Sequence, residues 1–297
     1  MMRGRTVVEL VRSGGQYILE EVEPAAFRSR LEKYFRLMRE RKLSDGGVAL
    51  KPSRCSTDNA LALLKTEAAS DYLPDISIVT NSPIFTEQGG ELKVLAKGYH
   101  NVLGGIYILK NRDIRELPLE EATQVLRELL SDFSFVSESD EARALASLIS
   151  PALRLGGLLP VDFPLCIAEA YESQTGKTYL QKLVSALYGE KPFIINRQAH
   201  IGVGSLDEAI SDALISGKPF LMFENVRGSV ASQLLESAIC GTGTVNCRRY
   251  SRGMQIVTSH VCWLFSSNRA ETTPDLANRS VITRLRKQPA SYEFRTK

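Results

Sequence analysis

At 297 residues the chain is long enough for one large or two modest domains, and its apolar (43%) and charged (24%) fractions are those of a globular protein. The net charge of +3 says little about partners, but from Gly241 onward ten basic residues are opposed only by Glu271, Asp275 and Glu293. Five cysteines without C-x-x-C spacing and three histidines give no metal-site pattern, no apolar run is long enough to span a bilayer, and the opening residues form no signal peptide, so a cytoplasmic protein with reduced thiols and no membrane contact is expected.

In chain order, Thr6 to Val11 and Tyr17 to Val22 are β-prone runs around Ser13-Gly14-Gly15, a hairpin signal. Glu23 to Arg41 reads as an amphipathic helix with Phe27, Leu31, Tyr34, Phe35 and Leu37 on one broad face. Its basic residues fit either a solvated face or contact with nucleic acid. Ser56-Thr57-Asp58 opens a second helix, because hydroxyl and carboxylate side chains can accept the free N–H groups ahead of Ala60, Leu61, Leu63 and Leu64. Asp71 to Phe85 is rich in turn residues. Glu91 to Leu95 and Gly104 to Leu109 then read as a strand pair joined through Lys97 to Asn101. Leu119 to Leu130 is a helix, and Ser139 to Ile149 is another that should stop before Pro151, since proline disfavours helical geometry in the residue preceding it. Thereafter strand and helix patterns alternate, the mark of a parallel α/β sheet. The expected layout is an α+β N-terminal region over 1–118 (winged-helix-like or another small module), a helical connector over 119–150 and a core over 151–297.

The core opens on Leu165 to Ala168, an apolar run, followed by a polar loop that closes on Gly176-Lys177-Thr178 and an apolar-periodic segment. Strand, loop and helix in that order are the context of a phosphate-binding loop, in which backbone N–H groups and a helix N-terminus surround phosphate oxygens. Ser173, Gln174, Thr175, Gly176, Lys177 and Thr178 are the candidate binding residues, with Lys177 on the terminal phosphates and Thr178 on Mg²⁺. The pattern G-x-x-x-x-G-K-[ST] asks for glycine where Tyr171 stands, and a side chain there is expected to obstruct the loop.

Downstream, Lys218 to Asn225 is an apolar run that ends in Glu224, a carboxylate suited to a Mg²⁺ site on a strand beside the loop. Val261 to Phe265 leads to Ser266-Ser267-Asn268, whose amide can both donate to and accept from an attacking water. Arg279, Arg284 and Arg286 provide guanidiniums near the chain end. Val245 to Arg249 and Met254 to Thr258 form a hairpin pattern with Arg248, Arg249 and Arg252 near its tip.

GKT, FLMFEN, LFSSN and DLANRSVITRLR in this order resemble the ATPase core of superfamily 3-like AAA+ replicative helicases, specifically the helicase part of primase-helicase proteins of phages, plasmids and mobile elements. FENVRGSVASQLLESAICGTGTVNCRRY carries most of the likeness, which extends over about 70–287. The resemblance implies an α/β P-loop NTPase fold, ATP and Mg²⁺ as ligands, and a hexameric ring acting on DNA with a primase partner. By motif position Glu224 would be the Walker B acid, Asn268 the sensor, Arg279 the arginine finger, and Arg248, Arg249 and Arg252 the DNA-contacting hairpin. Asn225 stands where many such helicases have a second acid. A DNA-dependent ATPase or helicase loader for replication is the expected function. A non-hydrolysing nucleotide- and DNA-binding subunit is the alternative, and a small-molecule kinase a more distant one.

Overall fold

The computed structural model describes residues 1–44, 46–159, 164–196, 205–240, 243–249 and 252–295, with backbone alone at 225–229, 240, 249, 252 and 269–272. The chain divides into two compact units, Met1–Ile76 and Ser77–Lys297.

In the first unit β1 (Met2–Arg3), β2 (Thr6–Ser13) and β3 (Gln16–Glu21) form an antiparallel sheet, with Gly14 and Gly15 turning the expected hairpin. Helix α1 (Pro24–Tyr34) starts at a proline, whose missing N–H costs nothing in the first turn. It ends well before Arg41: Phe35 is extended (φ −128°, ψ 138°), and Tyr34 and Phe35 are exposed, not part of an apolar face. The residues assigned to the helix's second half instead form β4 (Met38–Lys42), paired with β5 (Val48–Pro52). The competing signal is the Gly46-Gly47 turn, which brings an extended partner back onto 38–42. Helices α2 (Thr57–Leu64) and α3 (Glu67–Tyr72) follow, and Ser56 Oγ caps α2 by accepting the Asn59 N–H at 3.1 Å.

The second unit begins with β6 (Ile78–Thr80), β7 (Ile84–Gln88), β8 (Glu91–Leu95), β9 (Gly98–His100) and β10 (Ile106–Ile108). The two runs expected to pair with each other do not. β8 pairs with β7, whereas β10 lies between β6 and β9, in parallel with β6. Short apolar strands inside the proline-flanked stretch, Ile78–Thr80 above all, supply the missing partners. Helix α4 (Leu119–Leu130) has the expected bounds, and β11 (Ser134–Phe135) follows.

Helix α5 (Glu138–Leu155) continues through Pro151. The reason is Tyr188, whose hydroxyl accepts the Ala152 N–H at 3.1 Å and donates to the Leu148 carbonyl at 2.7 Å. It therefore fills the hydrogen-bond gap that a proline opens in a helix.

The remainder is β12 (Leu165–Glu169), α6 (Lys177–Leu187), β13 (Phe193–Ile195), α7 (Leu206–Ile215), β14 (Phe220–Val230), α8 (Gln233–Cys240), β15 (Thr244–Arg249), β16 (Arg252–Val257), β17 (Cys262–Thr272), α9 (Pro274–Asn278) and β18 (Ser280–Arg286). Six strands make one sheet in the order β11-β18-β12-β17-β14-β13, parallel except for β11. Strand β17 lies between β12 and the acid-bearing strand β14.

Strand alternation sends side chains to two separate apolar layers. Leu165, Ile167, Leu221, Phe223, Trp263 and Phe265 pack with α7, α8 and the β15–β16 hairpin. Cys166, Ala168, Met222 and Leu264 pack with α4, α5 and α6 on the other face. The fold is thus mixed α/β with helices covering both faces of a mostly parallel sheet. Cys55, Cys166, Cys247 and Cys262 are free and buried. No described helix is long and apolar enough to cross a membrane.

Candidate functional site

The chain leaves β12 for the far edge at β13, returns through β14 to β17, and then passes beyond β12 to β18. Open α/β sheets bind ligands in the crevice that such a reversal leaves outside the strands' carboxyl ends. The loop 170–176 follows the carboxyl end of β12, and Ser266 to Asn268, within β17, lie level with that end.

Gly176 heads α6 in the left-handed region (φ 86°), and no side chain caps this helix. The backbone N–H groups of its first turn are therefore available to an anion. A Cβ at Gly176 would also stand 3.1 Å from a Phe133 ring carbon, a second reason for glycine. Tyr171 is exposed and its φ is not positive; within the loop the left-handed non-glycine residue is Gln174 (φ 60°). The backbone at Tyr171 therefore does not itself require glycine. Ser173 and Gln174 are exposed, and Thr175 is buried.

Lys177 is 6% exposed and reaches back across the loop to donate to the Glu172 carbonyl (2.9 Å) and Thr175 Oγ1 (3.1 Å). Both acceptors are neutral, and among the described residues no carboxylate pairs with it. Burial lowers its pKa from the usual lysine value. Thr178, one residue on, has its Oγ1 3.3 Å from Ser266 Oγ, which in turn stands 3.5 Å from the Phe223 carbonyl. Gln181 Nε2 donates to the carbonyls of Cys166 (3.0 Å) and Phe265 (3.1 Å), fixing α6 over β12 and β17 together.

Glu224 follows Phe223 on β14 and is bound by Lys182, with Nζ 3.0 Å from Oε1. Asn268 lies inside β17, not in a turn after it, and its Oδ1 is buried without a hydrogen-bond partner among the described residues. At the end of β12, Glu169 sits in register with Arg284 and Ser267 and pairs with Arg284 at 3.3 Å. Arg286 donates to the Val136 carbonyl at 2.9 Å. Arg279, by contrast, is exposed, and its guanidinium meets no partner among the described residues. Arg248 is exposed on β15, and Arg249 lies opposite Arg252 in the hairpin; the side chains of Arg249, Arg252 and Asn225 lie outside the described residues.

A cavity of about 600 Å³ opens beside the loop. Gln174, Thr175, Gly176, Tyr179, Phe133, Tyr292 and Phe294 are among the residues that line it, with Phe133 packed against Tyr179 at 5.9 Å between ring centroids. Asp132 ties that C-terminal segment down, accepting from the Tyr292 hydroxyl at 2.9 Å, and this bond raises the tyrosine's pKa. Such an aromatic, largely apolar cavity with Lys287 and Arg295 at its edge suits a planar heteroaromatic ring carrying anionic groups.

Thus Lys177, Thr178 and Asn268, chosen from sequence, lie on the elements that border one crevice, and Glu224 reaches α6 through Lys182. Lys182, Ser266, Glu169 and the aromatic cavity escaped the sequence reading. Ser266 stood in the quoted motif, but nothing in the sequence signalled its contact with Thr178 across 88 residues.

No protein-family model matches the chain, nor does any curated protein. Among solved structures it is similar to JCV helicase with a bound acetamide compound, at 12% identity and a TM-score of 0.34, over 58% of this chain and 47% of that one. It is also similar to the apo C-terminal region of NrS-1, at 14% identity and a TM-score of 0.37, over 92% of this chain and 64% of that one. The chain therefore spans about half to two thirds of the length of these two proteins. At such low scores neither likeness carries a functional argument.

Proposed function

We propose that the chain is a P-loop, AAA+-like ATPase that acts on DNA, as a replicative helicase motor or its loader. The observation that carries this reading is Lys177: a desolvated ammonium with neutral acceptors only, at the uncapped N-terminus of α6, in the loop that follows β12. A cation in that setting lacks a counter-charge, and a triphosphate provides one. The neighbouring cavity, lined in part by Phe133, Tyr179 and Tyr292, takes the base. The core over 151–297 then carries the nucleotide.

Mg²⁺ fits the donors present. No group of three carboxylate, histidine or cysteine side chains exists among the described residues, but Mg²⁺ needs only one or two protein oxygens beside substrate phosphates and water. Thr178 and Glu224 would hold it, and the ion would neutralise charge on the phosphate oxygens. The chain's own groups do the rest. Lys177 binds the terminal phosphate, the free Oδ1 of Asn268 orients a water, and Arg279 reaches the site of the next subunit in a ring, since it has no partner of its own. Arg248, Arg249 and Arg252 would contact DNA phosphates. A hexamer, a primase partner and service to a mobile element belong to this reading as well.

The second reading, a nucleotide-binding subunit that does not hydrolyse, is favoured by one contact: Lys182 neutralises Glu224. ATP turnover with and without single-stranded DNA tests both. Turnover lost in Lys177→Ala supports the ATPase; tight ATP binding without turnover supports the second reading. Equal turnover by wild type and Lys177→Ala would remove both.

A further inference from the structure

The hairpin of β4 and β5 buries almost nothing. Every residue of it is exposed except Ala49, which is half-buried, and it is a two-stranded ribbon with no third strand. Two-stranded ribbons of this kind are marginal in water unless something covers a face.

Its register sorts the side chains. Arg39 lies opposite Lys51 and Arg41 opposite Ala49, so by strand alternation these share one face, which carries three cations and no acid. Met38, Val48 and Leu50 share the other with Glu40 and Lys42. Like charges directly opposite each other destabilise a ribbon, so Arg39 facing Lys51 is a cost that folding alone does not explain. Between Arg36 and Arg54 six basic residues stand against two acidic ones. Just before the hairpin, Tyr34 and Phe35 at the end of α1 are 71% and 63% exposed, and Lys33 Nζ stands 5.3 Å from the Tyr34 ring centroid.

We propose that this hairpin is a second nucleic-acid-binding surface, in which Arg39, Arg41 and Lys51 grip the phosphates of a single strand and Tyr34 and Phe35 stack on its bases. Charge complementarity identifies the occupant: a polyanion relieves the Arg39–Lys51 repulsion, and exposed rings beside a cationic track suit unpaired bases. The inference does not depend on ATP hydrolysis or on the β15–β16 arginines.

The test is a salt series of binding by the full chain to a labelled oligothymidylate and to a duplex, followed by anisotropy. Arg39→Ala with Arg41→Ala and Lys51→Ala should weaken binding to the single strand and flatten the log–log salt slope by about 2, from roughly 0.7 per lost contact. Arg39→Lys with Arg41→Lys should keep the slope. Tyr34→Ala with Phe35→Ala should weaken single-strand binding more than duplex binding. Melting temperatures no lower than wild type are expected, because these side chains are solvent-facing and the triple variant removes the Arg39–Lys51 repulsion. An unchanged affinity and slope in the triple variant, or no binding by wild type, overturns the proposal. So does equal loss on both nucleic acids in the aromatic variant, and so does competition by polyglutamate as effective as by oligothymidylate, which would point to an acidic protein segment.

Discussion

Lys182 restrains Glu224: its ammonium stands 3.0 Å from Oε1, one turn after Thr178 on the same helix. Both side chains are partly exposed, so the pair contributes at most about 1 kcal/mol to stability and its removal leaves the fold intact. Lys182→Met should therefore release the carboxylate and raise DNA-stimulated turnover, whereas Glu224→Gln should lower it by about a hundredfold or more with ATP binding retained. Turnover assays on the two variants and their combination check this. If Glu224→Gln turns over as fast as wild type, Glu224 has no part in the chemistry.

For Lys177 the expected loss of turnover on replacement by alanine is also about a hundredfold or more. The pH dependence has a definite sign. Burial lowers the folded-state pKa below 10.5, so the unfolded state holds its proton to higher pH and stability rises as pH climbs through the lowered value toward 10.5. Nucleotide affinity should change the opposite way, falling over that alkaline range as the cation is lost. Isothermal titration with a non-hydrolysable ATP analogue, alongside melting curves, separates the two trends.

Asn268 should show a trade between function and stability. Its unpaired, buried Oδ1 costs stability that Asn268→Leu recovers, by about 1 kcal/mol, while removing the group that would orient water. A variant that is both less stable and fully active would contradict the assignment.

Arg279 should act between subunits. Arg284 is bound to Glu169 and Arg286 to Val136 within the chain, which leaves Arg279 as the exposed candidate. Mixed Lys177→Ala and Arg279→Ala subunits should regain part of the turnover that each alone lacks, because some interfaces pair an intact loop with an intact arginine. Proven co-assembly without rescue would move the finger elsewhere.

Asp140 joins α5 to the sheet. Its carboxylate accepts from the Arg284 N–H at 3.0 Å, from Ser137 Oγ at 2.6 Å and from Arg143 at 3.3 Å. Burial raises its pKa, but these hydrogen bonds and the two arginines outweigh that and hold it below 3.8. Its contribution is thus full above pH 3.8 and disappears as pH falls through the lowered value. Asp140→Ala should cost about 2–3 kcal/mol near neutral pH, with the gap to wild type closing in strong acid. Urea melts at several pH values provide the measurement.

The legible parts of this chain were those where local signals agree. Helix Leu119–Leu130, the first hairpin and the strand leading to Gly176-Lys177-Thr178 each combine periodicity with a cap or turn residue. What stayed hidden depends on partners distant in sequence. Pro151 is a helix stop until a tyrosine 37 positions later supplies the missing bonds. Lys182 looks like a solvated helix charge until β14 brings Glu224 to it. Tyr171 breaks a written motif, yet the loop puts its left-handed turns at Gly176, which the motif specifies, and at Gln174, which it leaves open.

Tyr188 has a mechanical consequence. It is the residue that closes α6, and Lys177 is the residue that opens it, so the helix is a lever about 16 Å long with the loop at one end and a hydroxyl at the other. That hydroxyl is a spacer in the backbone of α5. Its two bonds make the backbone of α5 at Pro151 depend on where α6 ends. Tyr188→Phe would keep the ring and remove both bonds, leaving α5 to pass Pro151 without them.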